Sequence, residues 1–116
     1  MFNIIPMTEK YIDDVAHIEE SCFHVPWTKN DFEKEIKENK MAIYYVAVDE
    51  NGNAVGYAGM WHVVTEGHIT NVAVLEQYRG NGIGDMLMEA LEKKALELEM
   101  IGITLEVRIS NYKAQK

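Results

Sequence analysis

The sequence predicts an α/β fold of the mixed α+β kind, in which one mixed sheet carries helices within a single domain over residues 1–116. Three observations predict it. Apolar periodicity alternates between about 2 and 3.6 residues in the order β-α-α-β-β-β-α-β. Asn51-Gly52 is a strong hairpin signal and sets three strands in an antiparallel run. A long amphipathic segment then separates the last two strands, which such a crossover makes parallel neighbours.

Each element follows from its residues. Residues 2–5 form a short apolar strand stopped by Pro6. Thr8 is placed to cap a helix running to about Ser21, with Ile12, Val15, Ile18 and Cys22 at helical spacing. Phe23-His24-Val25-Pro26-Trp27 breaks that pattern. Thr28 with Asp31 marks the start of a second short helix, apolar at Phe32 and Ile36. The acidic residues Glu19, Glu20, Glu33 and Glu35 read as solvated helix faces. Residues 41–48 are β-branched and aromatic and read as a strand, and 54–64 as its return. Thr65-Glu66-Gly67 is expected to make the next turn, before a third strand at 68–75. Met86, Leu87, Leu91 and Leu98 mark a helix that begins near Gly82. In the final strand, 103–109, Ile103, Leu105, Val107 and Ile109 share one face, opposite Thr104, Glu106 and Arg108.

Composition narrows the function. The chain has 116 residues, 47% hydrophobic and 26% charged, the balance of a globular domain able to bury a core. Lys and Arg number 11 against 19 Asp and Glu, a net charge of −8. That sign is wrong for a general nucleic-acid or anionic-membrane binder and suits amines or basic peptide tails. Cys22 is the one cysteine, so neither an internal disulfide nor a cysteine-rich zinc site is expected. His17, His24, His62 and His68 have no zinc-type spacing, and no metal is expected. No secretory signal and no membrane-length apolar run is visible, and a reducing cytoplasm is the expected compartment.

Tyr78-Arg79-Gly80-Asn81-Gly82-Ile83-Gly84 joins the third strand to its helix. Glycines let the backbone turn tightly and bring its N–H groups close to a ligand. The first N–H groups of the helix have no internal partner, and its dipole is positive there, which makes the turn an anion site. A Rossmann G-x-G-x-x-G would need glycine at Asp85, and the Gly-Lys-Ser/Thr of a Walker A turn is missing. A plain connecting turn accounts for the glycines equally well.

Val72-Ala73-Val74 followed by Arg79, Gly82 and Gly84 resembles the acetyl-CoA motif of the GNAT N-acetyltransferases, Arg/Gln-x-x-Gly-x-Gly/Ala. Pro26-Trp27, Asn71-Val72-Ala73-Val74 and Leu105-Glu106-Val107-Arg108 followed by Ser110-Asn111 are similar to the bacterial enzymes that acetylate ribosomal-protein alanine N-termini. The resemblance covers essentially the whole chain. It implies the acyl-CoA N-acyltransferase fold without its last helix and strands, since about three dozen further residues are usual for that domain. The family's general-acid tyrosine would then fall beyond Lys116, and Tyr112 does not match it. A C-terminally truncated chain is therefore expected to turn over weakly or not at all.

The resemblance also implies roles. It implies acetyl-CoA as the donor and the α-amine of a protein, a ribosomal protein in the similar enzymes, as the acceptor, joined by direct attack in a ternary complex. Glu106 is the implied base. An α-amine with a pKa of about 7.7–8.0 must lose a proton before attack, and a glutamate near about 4.3 needs burial or a water relay to take it. Val72, Ala73 and Val74 are implied to pair with the pantetheine arm and to offer an oxyanion donor. Arg79, Gly80, Asn81, Gly82, Ile83, Gly84 and Asp85 are implied to hold the pyrophosphate, and Asn111 to touch the cofactor. Asp85 favours its helix end but repels a pyrophosphate. Two other readings remain open: a GNAT enzyme acting on a small amine or a lysine, and a non-catalytic CoA-binding fragment. The edge left by absent C-terminal elements predicts a dimer or a swapped oligomer.

Overall fold

The computed structural model describes residues 1–109. Its elements are β1 (Asn3–Pro6), α1 (Ile12–Cys22), α2 (Lys29–Glu38), β2 (Ala42–Val48), β3 (Ala54–Val63), β4 (Glu66–Val74), α3 (Ile83–Glu97) and β5 (Gly102–Ile109). The five strands form one sheet in chain order. Each strand from β1 to β4 is antiparallel to the next, and β4 and β5 are parallel. This is the expected mixed sheet.

Helices cover both faces. On β3, Tyr57 packs edge-on against Phe32 of α2 with ring centroids 5.6 Å apart, so it faces α1 and α2. The neighbouring Gly56 faces α3: a Cβ there would sit 3.3 Å from Ile83 Cγ2. Every residue from Ala54 to Met60 is accordingly buried. Val15 and Ile18 of α1 and Phe32 of α2 fill one interface, and Ile83, Leu87, Leu91 and Ala95 of α3 fill the other. Each of these Val, Ile, Leu and Phe side chains contributes about 1.5–3 kcal/mol on burial. Among the described residues no helix is long and apolar enough to cross a membrane.

Local chemistry sets most of the ends. Thr28 Oγ1 accepts from the Asp31 N–H (3.1 Å), and the Thr28 N–H donates to Asp31 Oδ2 (2.9 Å), a complete capping box for α2. In the β2–β3 turn Asp49 Oδ1 accepts from the N–H groups of Asn51 and Asn53, and Gly52 supplies the positive φ of 84°. Proline is tolerated as the last residue of β1 because that strand lies at the sheet edge.

Three expectations are corrected. Thr8 makes no side-chain cap; a 3-10 turn over Glu9–Tyr11 leads into α1 instead. The β3–β4 turn is Val64-Thr65, with Val64 at φ 55°, and not Thr65-Glu66-Gly67. Gly67 is inside β4, opposite His62, where a Cβ would lie 2.7 Å from Met60 Sδ and 2.9 Å from Met100 Sδ. Its glycine serves packing rather than turning. Glu19 and Glu35 are buried, not solvated.

Candidate active site

The sheet changes register at one residue of β4. Against β3, Gly59 pairs with Asn71 and Met60 with Ile69, so Thr70 bulges out of the ladder. Against β5, Ile69 pairs with Leu105 and Asn71 with Arg108, so Glu106 and Val107 stand opposite the single Thr70. Glu106, the base implied by the family resemblance, therefore sits at the break between the two parallel strands. Pairing resumes at Asn71–Arg108 and Val72–Ile109. Asn111 lies outside the described residues.

Past that point β4 runs into the glycine turn. On the β3 side Ala73 pairs with Tyr57 and Val74 with Gly56. Val72 is half-buried, while Ala73 and Val74 are buried. Arg79 does not reach outward: its Nε donates to the Val74 carbonyl (2.9 Å), which braces the turn against the strand. Its Nη2 also lies 3.5 Å from Cys22 Sγ on α1. Asn81 Nδ2 donates to the Tyr78 carbonyl (2.8 Å). Gly80 (φ 89°) and Gly82 (φ 76°) adopt the left-handed conformation that glycine tolerates.

The first helical bond of α3 runs from the Met86 N–H to the Gly82 carbonyl (3.0 Å). The N–H groups of Ile83, Gly84 and Asp85 precede that ladder, at the positive end of the helix dipole. No heavy atom lies within 4 Å of where a Cβ would stand on Gly80, Gly82 or Gly84. Glycine thus leaves an open approach to backbone donors, which fits the pyrophosphate of a coenzyme A substrate. Ile83 is 2% exposed, so only its backbone can take part. Asp85 is exposed in the first turn, the one negative side chain there.

Two buried carboxylates lie on the other side of the break. Glu19 of α1 is wholly buried and accepts from the Tyr57 hydroxyl and from the Trp27 N–H (2.9 Å). Asn71 Nδ2 donates to the same tyrosine oxygen (3.3 Å). Glu35 of α2 accepts from the Tyr44 hydroxyl (2.9 Å), Trp61 Nε1 (2.5 Å) and Asn39 Nδ2 (3.2 Å). The rings of Tyr44 and Tyr57 stack at 6.4 Å, and the Tyr44 ring lies over Gly59, where a side chain would collide with it. Burial, and then the adjacent carboxylate, push both phenols far above the ordinary tyrosine range, so both remain donors.

Trp27, Asp31, Glu35, Glu38 and Trp61 line a cleft of about 500 Å³ beside this network. Sequence reasoning missed Glu19 and Glu35. The signal was their spacing: Glu19 falls on the apolar stripe of Val15, Ile18 and Cys22, and Glu35 on that of Phe32 and Ile36.

Residues 12–116 match the family described as Acetyltransferase (GNAT) family. The chain belongs to the GNAT acetyltransferase family. It is 39% identical over 104 residues to a Bacillus subtilis protein provisionally named a ribosomal protein bS18-alanine N-acetyltransferase, covering 90% of this chain and 68% of that one. It is 36% identical over 93 residues to an N-alpha-acetyltransferase of Sulfurisphaera tokodaii, covering 69% of this chain and 54% of that one. The crystal structure of the ribosomal-protein-S18-alanine N-acetyltransferase from Escherichia coli superposes with a TM-score of 0.83 at 25% identity, over 99% of this chain and 72% of that one. This GNAT chain thus carries the family's mixed sheet and spans about half to three-quarters of these relatives.

Proposed function

We propose that this chain moves an acetyl group from acetyl-CoA to the α-amine of a protein N-terminus, with a ribosomal protein as the acceptor. One observation carries the reading: the same strand, β4, bears the register break opposite Glu106 and leads, through one 3-10 turn at Glu76–Tyr78, into the open glycine turn before α3. The names of the bacterial and archaeal relatives support an α-amine acceptor.

In this reading the turn from Arg79 to Asp85 takes the pyrophosphate on the N–H groups of Ile83, Gly84 and Asp85. Arg79 braces the turn through the Val74 carbonyl. Val72, Ala73 and Val74 align the pantetheine arm and offer a backbone N–H to the oxyanion. Glu106 takes the proton from the attacking amine. The amine nitrogen bonds to the thioester carbon, the carbon–sulfur bond breaks, and the sulfur leaves as thiolate to be protonated. Trp27 borders the peptide entrance, beside a cleft in which Asp31, Glu35 and Glu38 outnumber the single lysine, Lys34, and that balance suits a basic peptide.

Titration of acetyl-CoA into the chain, beside a Gly82→Asp control, tests the first half of the reading. Acetylation of an N-terminal peptide, read by mass spectrometry, tests the second. Micromolar binding lost in the control, with acetyl on the α-amine, supports the reading. Acetylation confined to lysine side chains or small amines replaces it. Self-association belongs to the same reading, supported by Ile101, Ile103 and Leu105, which are exposed among the described residues on and beside β5, at one edge of the described sheet. A monomer at every concentration in sedimentation equilibrium removes that part.

A further inference from the structure

Glu19 is a buried carboxylate that the acetyl-transfer steps above do not use. Its side chain is inaccessible to solvent, and its two oxygens each meet a donor from a different part of the chain. Oε2 accepts from the Trp27 N–H of the loop between α1 and α2 (2.9 Å), and Oε1 from the Tyr57 hydroxyl of β3. Tyr57 Oη in turn accepts from Asn71 of β4, the residue after the bulged Thr70. A single side chain on α1 therefore joins the loop at the cleft to the part of the sheet where the register breaks. Burying a carboxylate costs several kcal/mol unless its lone pairs are satisfied, so its retention here calls for a role.

We infer that Glu19 is a positioning residue for the peptide substrate: it holds the Pro26-Trp27 loop at a fixed height over β3, so that the peptide entrance stays in register with the break at Thr70 and Glu106. This rests on the acetyltransferase reading above. The tie needs an acceptor for the Trp27 N–H and a polar partner for the Tyr57 hydroxyl. Glutamine supplies both, its oxygen accepting from Trp27 and its NH2 donating to Tyr57 Oη, because a phenol hydroxyl accepts as well as donates. Glu19→Leu keeps a similar volume and removes both arms.

The experiment compares wild type, Glu19→Leu and Glu19→Gln. It reads peptide affinity and acetyl-CoA affinity by titration, peptide KM and kcat by turnover, and Trp27 amide exchange by NMR. In Glu19→Leu, peptide affinity falls and KM rises by at least about fivefold, as expected for loss of a hydrogen bond that holds the loop, while acetyl-CoA affinity holds. The Trp27 amide exchanges faster. Glu19→Gln keeps peptide affinity and the slow Trp27 amide. A Glu19→Leu protein with wild-type peptide affinity, an equal loss for both substrates, or a Glu19→Gln protein no better than Glu19→Leu overturns the inference while the acetyltransferase reading stands. A wild type that neither binds nor acetylates peptide overturns both.

Discussion

Thr70 and Glu106 are the first residues beyond the Ile69–Leu105 pair, and between them the parallel strands β4 and β5 change register. On one side the bulged Thr70 carries a hydroxyl that donates to the Gly59 carbonyl (3.4 Å), so β4 is out of step with both neighbours at the same residue. A ladder interrupted in this way frees backbone groups that a regular sheet would consume. The break thus leaves main-chain groups of β4 available to a bound molecule at the level of Glu106 in β5.

Glu106→Gln removes the implied base and keeps its size. The expected result is a fall in kcat of about 10²–10⁴-fold with acetyl-CoA affinity unchanged. Raising the pH should recover part of the loss, because more of the peptide amine is then already deprotonated. Steady-state rates over about three pH units around the amine pKa check it. Equal rates for variant and wild type at neutral pH would remove Glu106 from the chemistry.

Gly84 separates binding from stability. It lies inside α3 with open space where a Cβ would go and no positive φ. Gly84→Ala should therefore raise helix stability by about 0.5–1 kcal/mol. The same methyl projects into the approach to the first-turn N–H groups, so acetyl-CoA affinity should drop. Thermal melts and titration on one variant check both signs. A stabilised variant with unchanged affinity would place the pyrophosphate elsewhere.

Tyr44 and Tyr57 make alkaline stability diagnostic. Burial, followed by Glu35 for Tyr44 and Glu19 for Tyr57, raises both phenol pKa values in the folded state. The unfolded chain releases these protons near pH 10, where the folded chain still holds them. Above that pH the unfolded state binds fewer protons, so stability falls as pH rises and is fully present below it. Each tyrosine adds a slope of about 1.4 kcal/mol per pH unit. Tyr44→Phe should remove one such slope in denaturant titrations between about pH 10 and 12. An unchanged slope would mean that the Tyr44 phenol ionises as in the unfolded chain.

Local signals in the sequence carried far; distant ones did not. Thr28 with Asp31, Asn51-Gly52 and the glycines from Gly80 to Gly84 act on their own neighbours, so their elements were legible. The burial of Glu19 depends on a tyrosine 38 residues away, and Trp61 reaches Glu35 from 26 residues away. A helix face alone cannot show that donors will arrive from a sheet. The Thr70 bulge was equally hidden, because the alternation through Ile69, Asn71 and Ala73 reads the same with or without an inserted residue. Gly67 misled in the opposite sense: its lack of a side chain makes room for the two methionine sulfurs and has nothing to do with the turn.

Val64 shows how that turn is stabilised at a cost. It stands at φ 55° and is 88% exposed, a β-branched residue in the left-handed region with little burial to offset the strain. That conformation costs a non-glycine residue about 1–2 kcal/mol, and asparagine and glycine tolerate it far better. A two-residue hairpin loop between right-twisted strands favours positive φ, so the geometry comes from the hairpin and the residue yields to it. Val64→Asn should stabilise the chain by about 1 kcal/mol, measured as a shift in denaturant midpoint with no change in its slope. Acetyl-CoA affinity should stay level, since Val64 lies at the opposite end of β4 from the glycine turn. If Val64→Asn destabilises instead, the exposed valine makes a contact in solution that outweighs its backbone strain.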